Sequence, residues 1–165
     1  AFIRPGLRPQ DNWIYGDNYQ NWGIVETSSS TRGAPDELSI YATEAYWTGK
    51  SSQLRRYTLR VDGFASVGAP LGGGELVTKP LKFEGQRLTM NFSTSAAGDV
   101  RVEVQDQGGR PLEDYSLSDC DAIFGDELER EVQWKRGNTV DQLQGRAVRL
   151  RFVLRDADLY AFRFK

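Results

Sequence analysis

The chain has 165 residues and a mass of 18.6 kDa, with 21 Lys and Arg against 23 Asp and Glu, a net charge of −2 and a pI near 5.3. That balance lacks the concentrated positive charge of a nucleic-acid binder, and no apolar run reaches the roughly 18 residues a membrane-spanning helix needs. With no His and only Cys120 as a thiol, the usual proton shuttle, the usual nitrogen ligand for zinc or iron, and any intrachain disulfide are all excluded.

The length suits one domain with a real core. Aromatic residues make up 12 %, and 17 Gly and 6 Pro are spread as punctuation between short apolar runs, which favours strands joined by turns over helices. Residues 1–57 read as a loop-rich aromatic segment. It opens on Phe2-Ile3-Arg4, passes through Asn12-Trp13-Ile14-Tyr15-Gly16-Asp17-Asn18-Tyr19 and Trp22-Gly23-Ile24-Val25-Glu26-Thr27, and reaches a short strand, Glu37 to Ala42, before Tyr46-Trp47. An opening Ala and the absence of a leader segment suggest a piece of a longer polypeptide.

From Leu54 onward the alternation becomes regular, with strands expected at Tyr57–Val61, Leu76–Lys79, Leu88–Phe92 and Val100–Val104. In the last of these Val100, Val102 and Val104 share one face and Arg101, Glu103 and Gln105 the other, as in a sheet with one wet side. Ser118 to Ala122 predicts one capped helical turn before Gly125. Trp134 alternates in phase with Val132 and reads as core. Val148, Leu150, Phe152 and Leu154 point inward with Arg149 and Arg151 outward, and Tyr160, Phe162 and Phe164 fall on one face. The whole reads as an all-β fold, an antiparallel two-sheet β-sandwich of jelly-roll type over residues 58–165, with no internal repeat.

The blocks Arg55 to Val67, Gly73 to Leu81, Ser95-Ala96-Ala97-Gly98, Arg149-Leu150-Arg151-Phe152 and Asp156 to Phe162 together resemble a bacterial pattern. It is similar to the C-terminal β-sandwich of glycoside hydrolases whose catalytic part is a five-bladed propeller, organised like glycoside hydrolase families 32 and 43. The resemblance implies that the catalytic carboxylates lie upstream, so that no residue here inherits a catalytic role and the chain is not itself an enzyme. It also implies that the stretch from Asn12-Trp13 through Tyr41 belongs to the end of a last propeller blade, so that residues 1–57 read either as a residual blade or as extra strands of the sandwich. The expected location is secreted, extracellular or periplasmic.

Aromatic rings stack on the apolar C–H faces of sugars. Trp13, Tyr15, Tyr19, Trp22, Tyr46 and Trp47 cluster in the opening third among hydrogen-bonding Asp17, Asn18, Gln20, Asn21 and Glu44. The expected carbohydrate contacts are therefore Trp22, Trp47, Tyr46, Tyr19, Trp13, Asp17 and Asn21; the competing reading is a small core beneath long loops. Arg101, Glu103, Lys135, Arg149 and Arg151 suit either an anionic polysaccharide or a solvated face of interleaved ion pairs. Asp17, Glu37, Glu44 and Asp62 are the raw material for a glycosidase carboxylate pair. Asp119, Asp121, Asp126 and Glu127, or Asp156 and Asp158, offer oxygen ligands for a structural calcium, though neither group follows the spacing of an EF-hand loop, turn and capping roles explain them more cheaply, and no other cofactor is expected. The expected partner is thus a polysaccharide or oligosaccharide, with a catalytic domain in the same polypeptide. The alternatives are a purely structural sandwich that buttresses a propeller hydrolase, and a glycosidase in its own right.

Overall fold

A computed structural model describes residues 3, 18–44, 53–137 and 139–165. The fold is all-β with two antiparallel sheets, in keeping with a two-sheet β-sandwich, and the described residues include no α-helix. The chain divides into two compact units, Ala1–Val61 and Asp62–Lys165.

The first unit carries a three-stranded meander of β1 (Val25–Thr27), β2 (Glu37–Glu44) and β3 (Gln53–Arg60), in that spatial order. Because β2 alternates, Leu38, Ile40 and Ala42 lie on one face and Glu37, Ser39 and Tyr41 on the other. Ile40 and Ala42 are buried, as their apolar side chains require. Ser39 is buried too, although it is polar. Arg56 covers it, donating from Nε to Ser39 Oγ at 2.7 Å and from Nη2 to Thr27 Oγ1 at 2.9 Å and Glu37 Oε1 at 2.5 Å. One guanidinium thereby clamps all three strands. Every residue of β3 pairs with β2, from Gln53 opposite Glu44 to Arg60 opposite Glu37, so the expected strand from Tyr57 is the end of a longer one that belongs to this unit.

The second unit is one curled sheet of β4 (Val67–Ala69), β5 (Gly74–Val77), β6 (Leu88–Gln105), β7 (Asp126–Glu131) and β8 (Arg149–Phe164). The order is β4-β8-β6-β7, with β5 also pairing β8. Its frame is the antiparallel pair β6 and β8, matched from Leu88 opposite Phe164 to Gln105 opposite Arg149. The runs Leu88–Phe92 and Val100–Val104, expected as two strands, are two halves of β6. Between Thr94 and Asp99 the register shifts, and Ser95 to Gly98 form a bulge. Bulges bend a strand and increase its twist, which is how a single sheet curls around its own core. Gly98 permits this, since a Cβ there would lie 2.3 Å from the carbonyl oxygen of Asp156.

The core gathers Leu88, Met90, Phe92, Val100, Val102 and Val104 from β6 with Leu150, Phe152 and Leu154 from β8. Past the bulge β8 changes phase, and Ala157 and Leu159 take the inward positions. It changes again at Tyr160, where the register jumps from Leu159 opposite Phe92 to Ala161 opposite Asn91. Tyr160 therefore does not share the face of Phe162 and Phe164. Its hydroxyl lies 3.4 Å from Ser93 Oγ, whereas Phe162 packs on Phe152 and Phe164 stacks on Phe83 at 3.7 Å.

Two further expectations change. Glu103 and Gln105 are buried, not wet: Glu103 Oε1 accepts from Gln105 Nε2 at 2.8 Å and Oε2 from the Leu117 N–H at 3.2 Å, which satisfies a carboxylate that burial alone would penalise. The helical turn expected from Ser118 lies earlier, as a hydrogen-bonded turn in which Asp119 and Cys120 both donate to the Ser116 carbonyl at 3.1 Å. Trp134 is core, as its phase predicts. It is 3 % exposed, donates from Nε1 to the Val102 carbonyl at 2.9 Å and meets Tyr115 edge to face at 5.3 Å.

Candidate functional site

The edge of the first sheet is built from two pieces of chain. Asn18 donates to the Thr43 carbonyl at 2.7 Å, Thr43 to the Tyr19 carbonyl at 3.0 Å and Asn21 to the Tyr41 carbonyl at 2.8 Å, with Gln20 opposite Ala42. The next pairing is Val25 opposite Ser39. Residues 21–24 therefore face only Ile40 and Tyr41, and the surplus is extruded at Trp22 and Gly23, whose φ of +91° a side-chain-bearing residue rarely adopts. Trp22 stands wholly in solvent at 104 % relative exposure, with Tyr19 half exposed beside it in sequence. Indoles are highly buried on average, so one presented this way by the backbone has surface to give to a ligand.

Three of the seven expected carbohydrate contacts, Tyr19, Asn21 and Trp22, thus fall on one edge segment. Trp13, Asp17, Tyr46 and Trp47 lie outside the described residues. Asn21 spends its backbone N–H on Tyr41, and its side-chain amide has no hydrogen bond among the described residues. Glu44 is committed elsewhere: it pairs with Arg55 at 2.7 Å and accepts from the Tyr57 hydroxyl at 2.6 Å. Burial, then that hydrogen bond, push Tyr57 up to about 12, and the same carboxylate raises Arg55. Glu37 is likewise held by Arg56.

Several of the charged residues of the second unit form ion pairs. Arg151 bonds Glu75 at 2.7 Å and lies 3.5 Å from buried Glu103, Lys135 reaches Asp119 at 3.3 Å, and Arg149 donates to the Gln107 carbonyl at 3.0 Å. Of the calcium candidates, Asp119 accepts from the Ser116 hydroxyl at 2.5 Å, Glu127 pairs with Arg130 at 3.0 Å and Asp158 accepts from Ser66 at 2.7 Å. Among the described residues no three or more Cys, Asp or Glu side chains gather as a metal site would require. Burial pushes the Cys120 thiol up to about 11, which leaves it protonated and poorly nucleophilic.

A polar cleft in the second unit went unforeseen. It encloses about 270 Å³ between Glu113, Asp114, Tyr115, Arg136, Gln142 and Arg146, over a floor that includes buried Leu143. Arg136 pairs with Asp114, which holds φ +68°, and Gln142 donates to the Tyr115 hydroxyl at 2.7 Å while Tyr115 donates to the Thr139 carbonyl at 3.0 Å. These residues come from three separated loops, so no spacing in the sequence signals them. Phe124, 69 % exposed in the loop before β7, was equally unmarked.

The fold and this edge define an all-β protein with an outward-facing aromatic at a sheet bulge. No model of a known protein family matches the chain, nor does any curated protein or solved structure.

Proposed function

We propose that the chain is a non-catalytic saccharide-binding module, an accessory to a polysaccharide-degrading protein working outside the cytoplasm. The observation that supports this is Trp22, extruded at the bulge and fully exposed with Tyr19 and Asn21 on the same edge. The indole supplies a flat apolar platform for a sugar ring, and the neighbouring amide and phenol supply the hydrogen bonds that fix its orientation. Affinity electrophoresis in gels cast with soluble polysaccharides tests it. Retardation by at least one polymer is expected, with Trp22→Ala weakening binding about tenfold, or ~1.4 kcal/mol. Unretarded wild-type protein, or a Trp22→Ala variant that migrates as wild type does, would sink the proposal, and release of reducing sugar would replace it with a glycosidase.

A second reading is favoured by Ile24, Val25 and Leu54, aliphatic side chains left 45 %, 53 % and 59 % exposed in the first unit. They suit a sheet that buttresses a further domain of the same polypeptide. That reading gains if no glycan retards the protein.

A further inference from the structure

Resting on the glycan-binding reading, we infer that the cleft between Glu113, Gln142 and Arg146 in the second unit is a second saccharide site, taking adjacent hydroxyls of a neutral sugar. Arg146 is exposed and its guanidinium has no hydrogen bond or ion pair among the described residues, yet it lines both this cleft and an adjoining one beside Gly108. Glu113 lines the same cleft and accepts no hydrogen bond among the described residues. Gln142 uses one amide hydrogen on Tyr115, and among the described residues its carbonyl oxygen accepts no bond. An unspent donor and two unspent acceptors therefore share one concavity without satisfying each other.

A sugar hydroxyl both donates and accepts, so two neighbouring hydroxyls can take a donated bond from Arg146 and give bonds to Glu113 and the Gln142 oxygen. The framework is set before a ligand arrives. Tyr115 is buried, braced edge-on against Trp134 and bonded to the Thr139 carbonyl, and it in turn fixes Gln142. Charge selects the class of sugar. Glu113 and Asp114 balance Arg136 and Arg146, and Arg136 is already spent on Asp114, so the cleft has no surplus positive charge for a uronate or a sulfate ester. Its volume, just below the roughly 300 Å³ at which pockets for larger ligands begin, suits one or two sugar units.

Affinity electrophoresis of the full chain in galactomannan, arabinoxylan and mixed-linkage β-glucan, with polygalacturonate as the anionic counterpart, tests the assignment. Arg146→Ala should weaken binding to the neutral polymer about tenfold, as expected for losing hydrogen bonds to a charged donor. Glu113→Gln should weaken it less, and Arg146→Ala should retain its effect in a Trp22→Ala background. Near-UV circular dichroism confirms that the variants keep the wild-type fold. Wild-type retardation that Arg146→Ala leaves unchanged overturns the second site while the Trp22 reading stands. Retardation by polygalacturonate alone, lost in Arg146→Ala, overturns the neutral-sugar assignment. No retardation of wild type by any of the four polymers removes the glycan-binding reading and this inference with it.

Discussion

In the first unit the irregularity at Trp22 and Gly23 lies on an edge, where among the described residues the strand has a partner on one side only, and the extra residues carry an indole out into water. In the second unit the irregularities at Ser95 to Gly98 and at Tyr160 lie inside β6 and β8, strands held on both sides. There each shift resets the phase, so that Leu154, Leu159 and Phe162 all still pack on the same core. The same backbone device therefore presents a side chain at an edge and preserves a core in the interior. Edges are where a sheet can vary its surface without disturbing what holds it together.

The two units also draw stability from different sources, and the largest expected effect exposes this. Phe152 is fully buried among β6 and β8 residues and packs on Phe162 at 5.2 Å between ring centroids. Phe152→Ala should cost the second unit ~3–5 kcal/mol, because a ring-sized cavity opens in a core that cannot collapse around it. Urea denaturation followed by near-UV signals checks it. A loss below ~1 kcal/mol would mean that the curled sheet is not held by this core.

Much of that core was legible in the sequence because alternation reports burial directly: Val100, Val102, Val104, Leu150, Phe152 and Leu154 are all inward, as their spacing predicts. The phase changes were not legible, since a bulge leaves the residue types intact and alters only which of them face inward. Reading Tyr160 with Phe162 and Phe164 failed for that reason. Glu103 was misplaced because its partners, Leu117 and Arg151, are distant in sequence. For the site, the exposed Trp22 was marked by its aromatic, polar surroundings, whereas the Arg146 cleft depends on loops that only the fold brings together.

The first unit, by contrast, should depend on a polar clamp. Arg56→Ala removes the donor that covers buried Ser39 and leaves Glu37 without its ion pair, while the Thr27 hydroxyl, 2.8 Å from Ser39 Oγ, still offers Ser39 one partner. The cost should be ~1–2 kcal/mol, smaller than for Phe152. Arg56→Lys should recover only part of it, because an ammonium cannot bridge three acceptors in the planar geometry of a guanidinium. Chemical denaturation of the two variants separates the outcomes, and full rescue by Lys would show that charge alone matters.

The smallest effect is a pH dependence that acts on the two units from opposite ends of the scale. In the second unit, Asp106 is held below its usual value, first by the Arg110 N–H that donates to it at 3.0 Å, and Asp119 is lowered first by the Ser116 hydroxyl. A folded value below the unfolded one means the folded state binds fewer protons, so this contribution is full above the ordinary carboxylate pKa and fades as the pH falls through the folded values. In the first unit the sign reverses. Tyr57 is raised to about 12 from 10, so the folded state keeps a proton the unfolded chain has lost, and its contribution is full below pH 10 and fades between 10 and about 12. Melting temperatures across the pH range should show Asp106→Asn and Asp119→Asn converging on wild type only once the pH has fallen below the lowered folded-state values of the two acids, where both are protonated in every state. Tyr57→Phe should lose its deficit only on the alkaline side. Convergence of Tyr57→Phe in acid instead would overturn the assignment of this contribution to the proton on the Tyr57 hydroxyl.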